Sequence, residues 1–415
     1  MSTIDEDRWP AIADVPDHAR ARRRARKVES EFALACEKAG LRLEGEDPDL
    51  RVFEEALFYR LADVGWLGLG ESFMAGEWTS PRLAMVLERL LRAGYNPKTP
   101  VRTGVRYDGS VAPLELHRLS GGDSTNTYAT LFSSGVPTMQ RETLSQTART
   151  KHTPPLSIEV TTLSDPTVVE RDDLTEAQSR ATQALLDVAN VGTGAYVLDL
   201  PAQTPALTLA ALARHATVDA LASDPDVLAS LEQVAQIADG ALEVVPTLTP
   251  LPDPGAFRRR FDACVSVDSA ESMDPRSLQH FFKVVEQALV PGGRLALQTL
   301  VAHEPSKSVA GCTELIRAYV TPAFHLHDRD DILHLMLKSQ GMKATDVLHF
   351  GGHYVEGLRL ERERFEGHER EAAALGFDAV YRRLWIYQLA LKEALILAEL
   401  ADAIIIGASA HRARL

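Results

Sequence analysis

Apolar positions along this chain keep changing period. Around Glu54, residues Phe53, Ala56, Leu57 and Leu61 share one helical face. The stretch Arg82 to Leu91 repeats the theme with Leu83, Val86, Leu87, Leu90 and Leu91, and Gly94 follows as a stop signal. Pro97 and Pro100 then mark a linker, which places a domain boundary near residue 105. Between the two helical stretches, WLGLGESFMAGEW (66–78) carries glycines at 68, 70 and 76 and reads as a turn-rich segment. Residues 106–170 lose regular pattern: GGDSTNT (121–127) and a Thr/Ser-rich run around 143–165 predict irregular structure. From Asp172 the pattern sharpens. DDLTEAQSRATQALLDVANV predicts an amphipathic helix capped by Asp173 or Thr175, and AYVLDL (195–200) is the short apolar run of a buried parallel strand.

Strand and helix then alternate. A helix over 206–215 precedes a strand over 218–222, and a helix over 224–237 precedes a strand over 261–268. A helix over 277–289, a PGG turn and a strand over 294–301 follow. VLHFGGHYV (347–355) and DAIIIGASA (402–410) predict two late strands separated by long helical segments. Such alternation predicts an α/β fold, a doubly wound, mostly parallel sheet. The expected organisation is a smaller, mainly helical domain over 1–105, an irregular linker or insert over 106–170, and the sheet domain with a C-terminal helical cover over 171–415.

Composition narrows the function. The 415 residues are 45% hydrophobic and 25% charged, ordinary for a globular chain long enough for two domains. A net charge of −14 sets the whole-molecule field against nucleic acid and anionic lipid alike, so a membrane contact has to be local. Residues 20–27, RARRRARK, are the local exception. They read either as a solvated helix start or as an electrostatic anchor for anionic head groups, where each cation is worth ~1 kcal/mol. Cys36, Cys264 and Cys312 are too few for a disulfide framework and suit a reducing cytoplasm. The opening residues MSTIDED lack the basic-then-apolar order of a secretory signal. His349 and His353 straddle the late strand, yet no spacing in the chain forms a metal-ligand constellation.

Several longer strings carry a resemblance. GLGESFMAGEW with RLAMVLERLLRAG, LTEAQ before YVLDL, FDACVSVDSAESM, VPGGRLALQTL and HFGGHYVEGLRLERERFE occur in order along the chain, and ALGFDAVYRRLWIYQLALKEA follows them. Together they resemble the cyclopropane-fatty-acyl-phospholipid synthase and mycolic acid cyclopropane synthase family. That resemblance implies a seven-stranded methyltransferase-type sheet and an N-terminal lipid-interaction domain. It implies transfer of the S-adenosylmethionine methyl group to the double bond of an unsaturated acyl chain, with bound bicarbonate as the base. By the same resemblance the helix carrying Trp385 and Tyr387 covers the substrate slot. Trp66, Phe73, Met74 and Trp78 suit either acyl-chain contact or the small domain's own core.

Read residue by residue, the implied site departs from the family pattern. The family follows its first strand with glycines so that backbone can approach the cofactor, because glycine has no Cβ. Here the matching string is LDLPAQTPA (198–206), without a glycine and with Pro201 and Pro205, each lacking an N–H. Asp199, Leu200 and Ser223 occupy the cofactor-binding positions. Losing three or four contacts of roughly 1 kcal/mol each weakens cofactor binding by about two to three decades. Of the base-holding set, Glu271 and Tyr354 match the family's glutamate and tyrosine, while Gln298 stands where the family has histidine. No cysteine lies between Cys36 and Cys264, so the family's cysteine has no counterpart. Glu271 and Tyr354 alone fit a structural role as well as a catalytic one.

Beside a methyltransferase-fold protein that has taken up another ligand in the old cofactor crevice, two further readings of function stay open. In one, the chain keeps the fold and serves membrane lipid modification as a lipid-binding or partner subunit with impaired catalysis, beside an active homologous subunit or as a homodimer. In the other, it is an active fatty-acyl-phospholipid methyltransferase with an unorthodox cofactor loop. Both place it in the cytoplasm or at the inner membrane face, with phospholipid acyl chains or the membrane surface as partner.

Overall fold

Glycine placement decides the local structure where helical pattern and turn signals conflict. In the computed structural model, which describes residues 4–16, 19–97, 114–121, 129–144, 156–249, 251–253, 257–303, 307–339 and 341–411, Trp66–Ala75 is a helix, not a turn-rich segment. Every residue from Trp66 to Met74 is buried. A Cβ on Gly68 would overlap the backbone of Arg60, and one on Gly70 would overlap the Leu315 side chain. Both glycines therefore serve close packing, and only Gly76, at φ +80°, ends the helix as a left-handed stop. Gly68→Ala should lower stability by about 1–3 kcal/mol despite alanine's better helix propensity. A denaturant midpoint measures it, and a neutral or stabilised variant would remove the close-packing argument.

The chain divides into two compact units that are not sequential segments. The first gathers Met1–Ala112, Glu304–Phe324 and Leu358–Ala401. The C-terminal helical segment expected to cover the sheet domain thus clusters with the N-terminal part of the chain, and residue 105 itself lies outside the described residues. Its strands are a two-residue antiparallel pair, β1 (Arg51–Val52) and β2 (Trp78–Thr79). The helix Ala379–Leu397 packs against Trp66–Ala75 and Leu83–Arg92. Trp66, Phe73, Met74 and Trp78 are all buried, as the core reading requires. The Trp66 and Trp78 indole N–H groups donate to the Tyr95 and Leu69 carbonyls at 3.1 and 3.0 Å.

The second unit holds one large sheet. Its strands are β3 (Pro137–Leu144), β4 (Leu156–Leu163), β5 (Tyr196–Asp199), β6 (Thr217–Ala222), β7 (Leu242–Pro246), β8 (Phe261–Val267), β9 (Leu289–Ala302), β10 (His327–Asp328), β11 (Met342–His349) and β12 (Ala401–Ala410). Spatial order is β3-β4-β11-β12-β9-β8-β5-β6-β7, with β10 beside the end of β9. The pairs β5–β6, β6–β7, β5–β8 and β8–β9 are parallel, while β11–β12 and β3–β4 are antiparallel. The doubly wound, mostly parallel sheet expected from the alternating pattern is present, and it is larger than seven strands. Leu198, Cys264, Leu295, Leu297 and Ile404 build its core with Leu278, Phe281 and Phe282 of the helix Pro275–Ala288.

Three expectations need correction. Residues 137–163 include a hairpin, β3–β4, added to the sheet edge beside β11, and Leu114–Ser120 is helical. β3 escapes a periodicity reading because almost all its described side chains are exposed, whereas β4 buries Ile158 and Val160 in alternation. The late strand stops at His349. A helix, Gly351–Gly367, starts where HFGGHYV was expected to stay extended, and within it Gly352 leaves room for the Asp165 carboxylate that a Cβ would overlap. Finally, the Asp173 carboxylate accepts from the Glu170 N–H at 3.0 Å instead of capping the helix Leu174–Val188.

Candidate active site

Strand order reverses at β5. The chain runs outward from it through β6 and β7 on one side and through β8 and β9 on the other. In open α/β sheets this switch point, at the carboxyl ends of the strands, is where ligands bind. Here the turn after β5 closes on both neighbours. The Leu200 N–H donates to the Val265 carbonyl of β8 at 3.0 Å, and the Ala202 N–H to the Leu221 carbonyl of β6 at 2.7 Å. The Gln203 side-chain amide crosses the switch point and donates to the Val267 carbonyl at 3.0 Å. Pro201 and Pro205 offer no N–H, and Leu200, Ala202 and Thr204 are buried.

Asp199, the last residue of β5, is 3% exposed. The Thr208 hydroxyl donates to its Oδ2 at 3.0 Å. Burial, only partly opposed by that bond, pushes its pKa up to about 7. Burial also raises the Cys264 thiol on β8, with the nearby Asp199 carboxyl adding to the effect. Ser223 is exposed just beyond β6, and the neighbouring Asp224 carboxylate is spent capping a helix, accepting from the Asp226 and Val227 N–H groups at 2.9 and 3.1 Å.

Of the residues matching the base-holding set, Gln298 lies on β9 and Glu271 just after β8. Gln298 pairs in register with Val267. Its amide donates to the Asp268 carboxylate at 3.1 Å, and the Asp268 N–H returns a bond to the Gln298 carbonyl at 3.1 Å. Asp268 holds φ +46°, a conformation that aspartate tolerates better than most residues. Glu271 is buried in the short turn after β8. Its Oε1 accepts from the Leu300 N–H at 2.6 Å, and its backbone carbonyl accepts from the His325 N–H at 2.7 Å. Tyr354 comes from the helix after β11 and is buried edge-on to Phe350, ring centroids 6.1 Å apart. Gln298 and Glu271 thus belong to one cluster, Asp199 and Leu200 lie one strand over, and Ser223 stands apart beyond β6.

Sequence reasoning missed Asp268, Thr208 and the role of Gln203. Their partners lie 30, 9 and 64 residues away, and no local spacing announces them. It also left two histidines without a role. His349 Nδ1 lies 2.6 Å from the Asp402 carboxylate. The fully buried His353 accepts the Phe132 N–H on Nδ1 at 2.9 Å and lies 3.1 Å from the Ser164 carbonyl through Nε2. Burial lowers its pKa, so the neutral ring clamps the segment around Phe132 onto the helix Gly351–Gly367.

The first unit contains a cavity of about 430 Å³. Phe73, Trp78, Leu83 and Ile386 supply apolar walls, with Arg362 and Arg383 among the charged lining. Arg383 donates to the Met74 carbonyl at 3.2 Å, and burial followed by the neighbouring Arg382 lowers its pKa.

A parallel sheet reversing at β5, closed by the antiparallel β11–β12 pair, is the sheet of the S-adenosylmethionine-dependent methyltransferase fold. Residues 167–404 match the family model described as mycolic acid cyclopropane synthetase, and the chain belongs to that family. It is 29% identical to tuberculostearic acid methyltransferase UfaA1 of Mycobacterium tuberculosis over 406 residues, covering 95% of this chain and 93% of that protein. Cyclopropane-fatty-acyl-phospholipid synthase of Escherichia coli K12 is 25% identical over 361 residues, covering 85% of each. Among solved structures, mycolic acid cyclopropane synthase CmaA1 complexed with SAH and CTAB superposes with TM-score 0.56 at 18% identity, covering 72% of this chain and 94% of that one. Cyclopropane synthase MmaA2 from Mycobacterium tuberculosis gives 0.55 at 19%, covering 71% and 93%. These two likenesses concern the fold.

The residues at the switch point do not fit an S-adenosyl group seated in the manner of that fold. The two backbone N–H groups nearest β5 are committed to strand carbonyls, two positions carry proline, and the exposed Gln203 side chain is tied to the Val267 carbonyl. Asp199 faces Thr208 from a buried position that favours its neutral form.

Proposed function

We propose that this chain serves membrane lipid modification as a lipid-binding or partner subunit whose methyl-transfer chemistry is impaired or lost. The observation that carries the reading is the turn after β5, fastened to β6 and β8 by its own hydrogen bonds. The Gln298–Asp268 pairing and the Glu271–Leu300 bond support it, since both use polar groups at the positions where the family's base is held. Gln298 stands at the family's histidine position, and glutamine cannot become a cation. The lipid side is supported by family membership and by the cavity walled by Phe73, Trp78 and Ile386. The partner is an active homologous subunit or a second copy, working at the cytoplasmic membrane face. Among the described residues no helix is long and apolar enough to cross a membrane.

The competing reading, an active acyl-lipid methyltransferase, draws on the 29% identity to a tuberculostearic acid methyltransferase across nearly the whole chain. Calorimetric titration with S-adenosylmethionine separates the two. The expected result is no binding tighter than about 50 µM, an affinity worth roughly 6 kcal/mol, together with no methylated or ring-bearing product from oleoyl phospholipid. Tighter binding with turnover of that lipid would overturn the proposal in favour of the enzyme.

A further inference from the structure

The basic run near the N-terminus lies on the helix Ala19–Lys38 of the first unit. Ala21, Ala25, Phe32 and Cys36 are buried on one side, which fixes how the helix is turned. Arg22, Arg23, Arg24, Arg26 and Lys27 are exposed. Lys27 approaches Glu31 at 3.5 Å with both side chains open to solvent, while Arg23, Arg24 and Arg26 form no ion pair among the described residues. The arrangement opposes local stability. The first turn contains no acidic residue, and cations gathered at a helix N-terminus repel the positive end of its dipole. It also opposes the chain's overall balance of 58 acidic to 44 basic residues. Leu34, 65% exposed, follows Lys27 by seven positions, two helical turns along the same outward line.

We propose that this helix face is a docking surface for an anionic lipid bilayer, a deepening that rests on the lipid reading above. Charge complementarity selects the occupant. A patch only a few turns long, on a chain of charge −14, suits a flat anionic surface reached within a Debye length of about 10 Å better than an extended polyanion repelled by the rest of the molecule. Leu34 supplies the apolar contact that an interface accepts and a nucleic acid backbone does not.

Co-sedimentation of the full chain with vesicles tests this, using phosphatidylcholine alone or mixed equally with phosphatidylglycerol. The wild type should bind the mixed vesicles at about 50 mM NaCl and leave them at about 500 mM. The variant Arg22→Gln/Arg23→Gln/Arg24→Gln/Arg26→Gln should lose about 600-fold in partitioning, at about fivefold per cation. Its melting temperature should stay level or rise. If that variant does not fold, Arg23→Gln and Lys27→Gln alone, each about fivefold weaker, carry the same test. Equal binding by wild type and folded variant, or wild-type preference for duplex DNA over mixed vesicles, would overturn the docking surface. Binding of oleoyl phospholipid in neutral detergent micelles reads the lipid function separately. Its loss with vesicle docking intact would sink the proposed function and leave this surface standing.

Discussion

Asp199→Asn should stabilise this protein at pH 8 and leave it nearly unchanged at pH 4. The carboxyl is buried and its pKa is raised from 3.8 to about 7, chiefly by desolvation. Below the ordinary value, folded and unfolded chains both hold the proton. Between about pH 4 and pH 7 the unfolded chain releases it while the fold retains it, so stability falls as pH rises through that window. Well above pH 7 the full cost applies, on the order of 4 kcal/mol for such a shift. Asparagine stays neutral at every pH, and its side-chain oxygen still accepts from the Thr208 hydroxyl. Urea midpoints at pH 4, 6 and 8 measure the difference. An advantage for the variant that does not grow with pH would show that Asp199 is already ionised in the fold. The closed-turn account of the switch point would then lose its electrostatic support.

The second large effect belongs to the other unit. Arg60 is 2% exposed, and its Nε donates to both carboxylate oxygens of the buried Glu77, at 2.9 and 3.1 Å. Its Nη2 and Nη1 donate to the Ile12 and Ala11 carbonyls at 2.6 and 3.1 Å. One guanidinium thus ties the short N-terminal helix Pro10–Ala13 to the segment beyond Trp66–Ala75. Arg60→Ala removes every one of these donors and leaves a carboxylate buried without its cation, which costs about 3–5 kcal/mol. Arg60→Met combined with Glu77→Leu removes both charges and should lose far less. A double-mutant cycle on denaturant midpoints decides the matter. Additive losses from the two single changes would mean that the pair is not coupled as its geometry requires.

Only the first of these effects was half visible in the chain. Asp199 stood out because it precedes a turn without glycine, but nothing local gives its protonation, which depends on burial and on Thr208 nine residues away. Arg60 carried no signal, because its partners are carbonyls of residues 11 and 12 and the carboxylate of residue 77.

What the sequence determined by itself was the alternation of apolar strands and amphipathic helices, which fixes a doubly wound sheet, and the composition of LDLPAQTPA, which removes glycine's freedom from the turn after β5. These are properties of neighbouring residues. The tertiary structure alone decided the rest. It made Gly68 and Gly70 packing residues inside a helix, set a largely exposed hairpin at the sheet edge, and ended the late strand at His349. It also laid the Gln203 amide on the Val267 carbonyl. A glycine reads the same in a turn or at a close contact, and a hydrogen bond reads the same to water or to a strand, until a residue distant in sequence arrives beside it.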